Sequence, residues 1–208
     1  MRQAGTGVIF QVVVMGGSAG GFEALEAILS TLPPDFPLPI LVVNHLHPAD
    51  HGSFARHLAS ILQLSVGEPS DKEQIVHGRI YVAPANYHML VERNKTIALA
   101  VDEKVNWSRP SIDVLFESAS RAFGESVIAV ILSGANADGT KGMSAIRGAG
   151  GLTIAQDPSE AATPLMPQSA IDAGAANEVL RLKEIGKRLI ELTLNSQLTH
   201  NELTMNSQ

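Results

Sequence analysis

The sequence predicts an α/β fold in which a doubly wound, mostly parallel sheet is flanked by helices. Strand-like and helix-like patterns alternate along most of the chain, which is typical of a parallel sheet with helices on both faces. The chain has 208 residues, 45% of them hydrophobic, which suits one domain with one substantial core. We expect a single domain over residues 1–193. Residues 194–208 are polar and carry no helix cap, so they are predicted to form a flexible tail.

The first half of the chain predicts two strand–helix units followed by a hairpin. Residues 8–14 are a β-branched apolar run, and residues 21–32 follow with apolar side chains at helical spacing. Residues 39–46 and 53–62 repeat this order. Near residues 79–101 the pattern changes to short alternating runs with the turn-like sequence RNK, which predicts a β-hairpin insertion and not a second domain.

The second half of the chain returns to the alternating order. Predicted helices cover residues 109–124, 138–150, 168–174 and 182–194. Predicted strands cover residues 126–134, 152–157 and 177–180. The sheet therefore receives at least five parallel strands, and the loops after these strands meet at one edge.

The composition excludes several classes of protein. Asp and Glu number 21 against 15 Lys and Arg, so no basic field predicts a nucleic-acid partner. The absence of cysteine excludes disulfides, thiolate nucleophiles and Cys-ligated zinc, and it fits a reducing cytoplasm. No apolar run has the length of a membrane span, and no signal-peptide pattern follows the N-terminus. We expect a cytoplasmic protein without direct membrane insertion.

The glycine-rich turn in QVVVMGGSAGG, residues 11–21, is the first candidate site. It lacks the glycine spacing of the dinucleotide-binding fingerprint, and no Walker lysine follows it. A less specific phosphate-binding turn at the helix N-terminus is an alternative interpretation. Residues 16–20 match G-x-S-x-G, in which a tight strand-to-helix turn projects a serine hydroxyl above the sheet. Ser18 is therefore a candidate nucleophile, and a glycine-rich turn without chemistry is the competing interpretation.

A nucleophilic serine requires a base and a group that orients the base. His45 follows one predicted strand and Asp138 follows another, so both are expected at the same sheet edge as Ser18. Asp138 has a second interpretation, because an aspartate before a glycine can also cap the helix that follows.

The run NHLHPADH permits a different site. His45, His47, His51 and Asp50 carry side chains that bind zinc or iron. No distant acid is placed for such a site as clearly as Asp138 is placed for a triad. The prediction is therefore that no metal is bound.

Several segments together resemble the catalytic domain of CheB-type chemotaxis protein-glutamate methylesterases. They occur in the family's order over roughly residues 8 to 182, and the order Ser, His, Asp differs from that of α/β-hydrolases. The segments are MGGSAGGFEAL, VVNHLHPADHGSFARHL, GRIYVAPANYHM, RPSIDVLFESAS, ILSGANADGTKGM and LTIAQDPSEAATPLMPQSAIDAGAANEVL.

The resemblance implies hydrolysis of glutamate γ-methyl esters on the cytoplasmic helices of a chemoreceptor, and in some members deamidation of glutamine. It implies Ser18 as nucleophile, His45 as base and acid, Asp138 as the group that orients the imidazole, and the Ala19 N–H as an oxyanion donor. Gly20, Arg109 and Met166 are implied as further residues of the oxyanion site or the substrate cleft. The resemblance implies no organic cofactor and no metal. The implied partners are the methylated chemoreceptor and a separate receiver or chemotaxis signalling protein.

The chain also departs from the family's pattern. It starts almost at the first strand, where family members usually carry a receiver domain and a linker. Ala19 stands where threonine is common, and Ala135 and Asn136 replace methionine and glycine before the acid. These changes leave a second interpretation, in which the chain is a catalytically weak receptor-binding or scaffold module with the same fold. A nucleotide-binding α/β protein is a third interpretation and rests on the glycine turn alone.

Overall fold

The computed structural model describes residues 8–205, with side chains described from 8 to 194. Nine strands and six α-helices alternate along this part of the chain. The strands are β1 Val12–Gly17, β2 Ile40–Asn44, β3 Ser65–Gly67, β4 Arg79–Val82, β5 His88–Val91, β6 Ile97–Ala100, β7 Val127–Ile131, β8 Leu152–Gln156 and β9 Glu178–Leu180. The helices are α1 Gly21–Leu29, α2 Ser53–Ile61, α3 Ile112–Phe123, α4 Thr140–Gly148, α5 Leu165–Asp172 and α6 Leu182–Met205.

Seven strands form one parallel sheet in the order β3-β4-β2-β1-β7-β8-β9. The chain adds strands on one side of β1 up to β4 and then on the other side from β7, so the order reverses at the β1–β7 pair. A reversal of this kind leaves a crevice at the carboxyl ends of the strands, where α/β proteins bind their ligands. The predicted doubly wound α/β fold is confirmed.

Apolar side chains cover both faces of the sheet, as expected for a parallel sheet buried between helices. One cluster joins alternate strand residues such as Val13 and Ile128 to the apolar faces of α1, α2 and α6. The other joins Val14 and Ala129 to α3, α4, α5 and the β5–β6 pair. The near-continuous apolar runs of the sequence therefore correspond to strands that are buried on both sides.

The hairpin predicted near residues 79–101 occupies only part of that range. Strands β5 and β6 form an antiparallel pair of their own, which packs on the face covered by α3. The segment Arg79–Val82 instead pairs in parallel with β2 and belongs to the main sheet. The prediction was wrong for this segment because a four-residue apolar run is too short for periodicity to separate a buried parallel strand from a hairpin strand.

The last helix extends into the predicted tail. Helix α6 continues to Met205, because neither proline nor glycine interrupts residues 195–205. The division at residue 193 stays a prediction, and residues 1–7 and 206–208 lie outside the described part of the chain. No helix among the described residues is long and apolar enough to cross a membrane.

Candidate active site

Ser18 and His45 follow neighbouring strands at the carboxyl edge of the sheet. Gly17 pairs with Asn44 across β1 and β2, and the His45 N–H donates to the Gly17 carbonyl at 3.0 Å. Ser18 is partly exposed, and its N–H donates to the Ser133 carbonyl just after β7, at 2.9 Å. The turn that carries Ser18 is thus fixed on both sides by the strands that flank β1.

The turn from β1 into α1 needs glycine at Gly20. This residue has φ of +75°, and a Cβ there would lie 2.6 Å from Ala162 Cβ and 2.7 Å from Ser133 Oγ. The Gly21 N–H closes the turn by donating to the Ser18 carbonyl at 2.7 Å. Within the described residues, no protein acceptor lies in hydrogen-bond range of the Ala19 and Gly20 N–H groups. These two donors are available to an oxygen that becomes negative beside Ser18.

His45 and Asp138 are in direct contact. His45 Nε2 donates to Asp138 Oδ2 at 2.9 Å, with 13% of the imidazole exposed and none of the carboxylate. Because an ionised carboxylate can only accept, Nε2 carries the proton of the neutral imidazole and Nδ1 is the acceptor. The Ser108 hydroxyl lies 3.3 Å from Nδ1 and donates to it in this tautomer. The structure therefore leaves Nδ1 as the nitrogen of His45 that can accept a proton.

The carboxylate of Asp138 binds the N-terminus of α3, although the residue itself directly precedes the N-cap of α4. Its two oxygens accept from the N–H groups of Ile112 at 2.7 Å and Asp113 at 3.2 Å, where the helix dipole favours a negative charge. The Ser111 hydroxyl donates to it as well, at 2.9 Å. The alternative interpretation, in which Asp138 caps the following helix, is contradicted, because Gly139 is the N-cap of α4 and no side chain caps it.

Two glycines let the start of α3 approach the strand ends. A Cβ on Gly16 would lie 2.4 Å from Ile112 Cγ2, and one on Gly139 would lie 2.8 Å from the same atom. Gly16 also continues β1 beyond the predicted end of that strand, where it pairs with Val43 and Ile131. These glycines thus bring the α3 N–H groups within reach of Asp138.

Hydrogen bonding controls the ionisation of Asp138. Burial, the largest single influence, raises the pKa of this carboxyl group, but hydrogen bonds from His45, Asn106 and the Ile112 N–H outweigh it. The resulting pKa of Asp138 lies below its usual value. Asp138 is therefore ionised, and its carboxylate accepts a hydrogen bond from the N–H of the His45 ring.

The remaining predicted residues have different surroundings. Arg109 is partly exposed, donates to the carbonyls of Val101 and Asp102, and lines a cavity of about 150 Å³ beside His45. Met166 is fully buried, and its side chain fills the space in front of Gly134, where a Cβ would lie 2.4 Å from Met166 Cε. Met166 is thus a core residue in contact with Gly134, whereas Arg109 lies at the surface beside the cavity that His45 lines.

The histidines of the alternative metal site do not converge. His47 is exposed and its Nδ1 accepts from the Ala49 N–H at 3.2 Å, while His51 is exposed at the start of α2. Within residues 8–205, no group of three or more His, Cys, Asp or Glu side chains is arranged to hold a metal ion. His45 contacts Asp138 instead.

Sequence reasoning selected Arg109 but missed the other site residues of the loop before α3, which we call the 101–110 loop after its residues. Asn106 and Ser108 in this loop bond Asp138 and His45, and Trp107 between them is 94% exposed. The loop does not follow a strand of the main sheet, so the strand-end rule that selects His45 and Asp138 does not select it.

Comparison with known proteins identifies the family. The family model for the CheB methylesterase matches residues 13–189. The chain belongs to the CheB methylesterase family. The crystal structure of the Thermotoga maritima CheB methylesterase catalytic domain matches with a TM-score of 0.84 and 37% sequence identity, covering 88% of this chain and 98% of that one.

Two relatives of the CheB family differ in the share of their own length that this chain spans. A relative from Leptospira interrogans is 44% identical over 187 residues, 90% of this chain and 97% of its own. The protein-glutamate methylesterase/protein-glutamine glutaminase 2 of Pseudomonas aeruginosa is 39% identical over 184 residues, 87% of this chain and 52% of its own. The chain thus spans nearly all of the first relative and about half of the second.

Proposed function

We propose that this protein hydrolyses γ-methyl esters of glutamate on the cytoplasmic helices of a chemoreceptor and deamidates glutamine there, with Ser18, His45 and Asp138 as its catalytic residues. The observation that carries the proposal is the 2.9 Å bond between His45 and a buried Asp138, one strand away from Ser18. Membership of the CheB methylesterase family supports the ester as a substrate, and the names of two relatives, which include protein-glutamine glutaminase, support the amide.

In the proposed reaction, Ser18 Oγ attacks the ester carbonyl carbon while its proton passes to His45 Nδ1. The N–H groups of Ala19 and Gly20 stabilise the negative oxygen of the tetrahedral intermediate. His45 then gives the proton to the leaving oxygen, and the C–O bond breaks to release methanol and an acyl-enzyme. A glutamine substrate would release ammonia at this step.

Water completes the cycle. His45 takes a proton from a water molecule, whose oxygen attacks the acyl carbon, and Ser18 leaves with its proton restored from His45. Throughout, the negative charge of Asp138 stabilises the protonated imidazole and holds its orientation. The product is free glutamate on the substrate protein.

The test is methanol release from a chemoreceptor cytoplasmic fragment methylated on glutamate. We expect wild-type protein to release methanol and Ser18→Ala to lose about 10³-fold or more of this activity. Ser144→Ala is the matched control, because Ser144 is exposed on α4 and its hydroxyl bonds only the Thr140 carbonyl of its own helix. Equal release by wild type and Ser18→Ala would exclude Ser18 as nucleophile. Binding of the fragment without release by any variant would support the scaffold interpretation instead.

A further inference from the structure

Two buried carboxylates near His45, those of Asp113 and Asp138, bind the same side-chain amide, that of Asn106. Asn106 Nδ2 donates to Asp113 Oδ2 at 2.8 Å and to Asp138 Oδ1 at 2.7 Å. An amide nitrogen carries two hydrogens, so each carboxylate receives one of them. Asp113 is 3% exposed and Asp138 is not exposed at all, so water screens their repulsion poorly.

Asp113 is not one of the proposed catalytic residues. Its Oδ1 accepts from the Gly142 N–H in α4 at 2.8 Å, and its Oδ2 is the acceptor for Asn106. Burial raises the pKa of Asp113 above its usual value, the charge of Asp138 raises it further, and the bonds from Gly142 and Asn106 oppose this rise. The two carboxylates therefore differ in pKa, with Asp138 below its usual value and Asp113 above it.

We propose that Asn106 is a positioning residue, whose shared amide lets Asp138 remain a carboxylate beside Asp113 and so keeps Asp138 available to His45. This inference rests on the proposed role of the His45–Asp138 pair as the catalytic base. Without the amide, two carboxylate oxygens would face each other across the space it fills, and the unshielded negative charge would hold an added proton on the His45–Asp138 pair more tightly. A pair that already holds this proton cannot accept one from Ser18.

The backbone supports a specific role for asparagine at this position. Asn106 has φ of +50° and Trp107 has φ of +65°, so two consecutive residues other than glycine adopt the left-handed region. Asparagine tolerates this conformation better than most residues, whereas alanine does not. Asn106→Gly therefore removes the amide while the backbone conformation stays accessible, which makes it the preferred variant.

Other titratable groups act on the same pair of carboxylates. Glu117, one turn along α3, adds to the rise in the pKa of Asp113. His45 donates to Asp138, and His88 Nδ1 accepts from the Ser111 N–H beside it. None of these groups is altered in the variants chosen below, so their contribution is common to all of them.

The experiment compares Asn106→Gly, Asp113→Asn and the double variant with wild type. The first measurement is the NMR titration of the His45 ring in protein without substrate, and the second is the pH dependence of kcat/KM for methanol release. Asn106→Gly removes a donor to the ionised pair, so the His45–Asp138 pair should take up a proton at a pH higher by about 0.5 to 1 unit. Asp113→Asn removes a nearby negative charge, so the midpoint should move to lower pH.

Midpoints that shift in opposite directions in the two single variants would distinguish the positioning role of Asn106 from a purely structural role. The acid limb of kcat/KM should move with the NMR midpoint, kcat of Asn106→Gly should fall about tenfold or more, and the double variant should recover part of both changes. Unchanged midpoints, or midpoints that move in the same direction in both single variants, would overturn the proposal. The ring titration needs no substrate, so it tests the proposal even if the protein releases no methanol. If Asn106→Gly does not fold, the shift in Asp113→Asn still decides whether the two carboxylates are coupled.

Discussion

His45 meets Asp138 through Nε2 at 2.9 Å, and Nδ1 is the nitrogen that faces the hydroxyl of Ser108. Ser108 in the 101–110 loop therefore bonds the nitrogen that the proposed nucleophile Ser18, at the end of β1, would use. We propose Ser18 as the nucleophile, and an experiment can distinguish the two serines.

We expect Ser108→Ala to keep kcat within about threefold of wild type. The Ser108 hydroxyl donates to His45 Nδ1 in the resting protein, but this bond is lost when Nδ1 accepts the proton of Ser18, so it does not stabilise the transition state. A fluorophosphonate probe followed by peptide mass spectrometry should label Ser18 in both proteins. A label on Ser108, or a loss in Ser108→Ala as large as in Ser18→Ala, would reassign the nucleophile.

Asp138→Asn should remove about 10³-fold or more of kcat, since the neutral amide cannot stabilise a protonated imidazole. Combined with Ser18→Ala, it should add little further loss, because the two residues act in one step. Single-turnover rates for both single variants and the double variant measure this, and losses that multiply would show that the residues act independently.

Trp107→Ala should raise KM by about fivefold or more while kcat and the melting temperature stay close to wild type. The indole is 94% exposed beside the cavity that His45 and Arg109 line, so it contributes area to a bound protein and little to the core. Trp107→Phe is the control, which should retain most of the affinity. A lower melting temperature with unchanged KM would contradict a binding role.

Gly16→Ala should destabilise the protein by about 1–3 kcal/mol and reduce kcat as well. Its Cβ would lie 2.4 Å from Ile112 Cγ2 and would push away the N–H that bonds Asp138. Gly148→Ala is the control, since a Cβ there meets nothing within 4 Å. Urea unfolding gives the free energies, and Ile112→Ala, which removes Cγ2, should cost less stability in the Gly16→Ala background than in wild type.

The stability of the protein should depend on pH through Asp113. The pKa of Asp113 in the folded protein is raised above that of an aspartate in the unfolded chain, which is about 3.9. As pH rises through the window between these two pKa values, the unfolded chain therefore loses the Asp113 proton before the folded protein does. Asp113 therefore lowers the free energy of unfolding progressively across that window, and its cost is complete above the folded-state pKa. Asp113→Asn cannot ionise, so its free energy of unfolding relative to wild type should increase as pH rises through the same window. A pH-independent difference in urea unfolding would contradict this.

The sequence predicted the elements that obey simple periodic rules and the residues that follow them directly. Buried parallel strands are recognisable as β-branched runs, and His45 and Asp138 were found because each comes just after such a run. The strand Arg79–Val82 was too short for its pairing to be read from periodicity. Asn106, Ser108 and Asp113 reach the site through the folding of the 101–110 loop onto α3, which leaves no periodic signal in the sequence.

The strand order has a consequence for the synthesis of the protein. Ser18 and His45 come from the first two strands, but the loop that carries Asp138 follows β7, and β7 reaches the site only by pairing with β1. A ribosome-bound chain that has emerged as far as β6 holds the serine and the imidazole without their carboxylate. Under the proposed mechanism, full hydrolytic activity should therefore arise only late in translation, when β7 docks on β1.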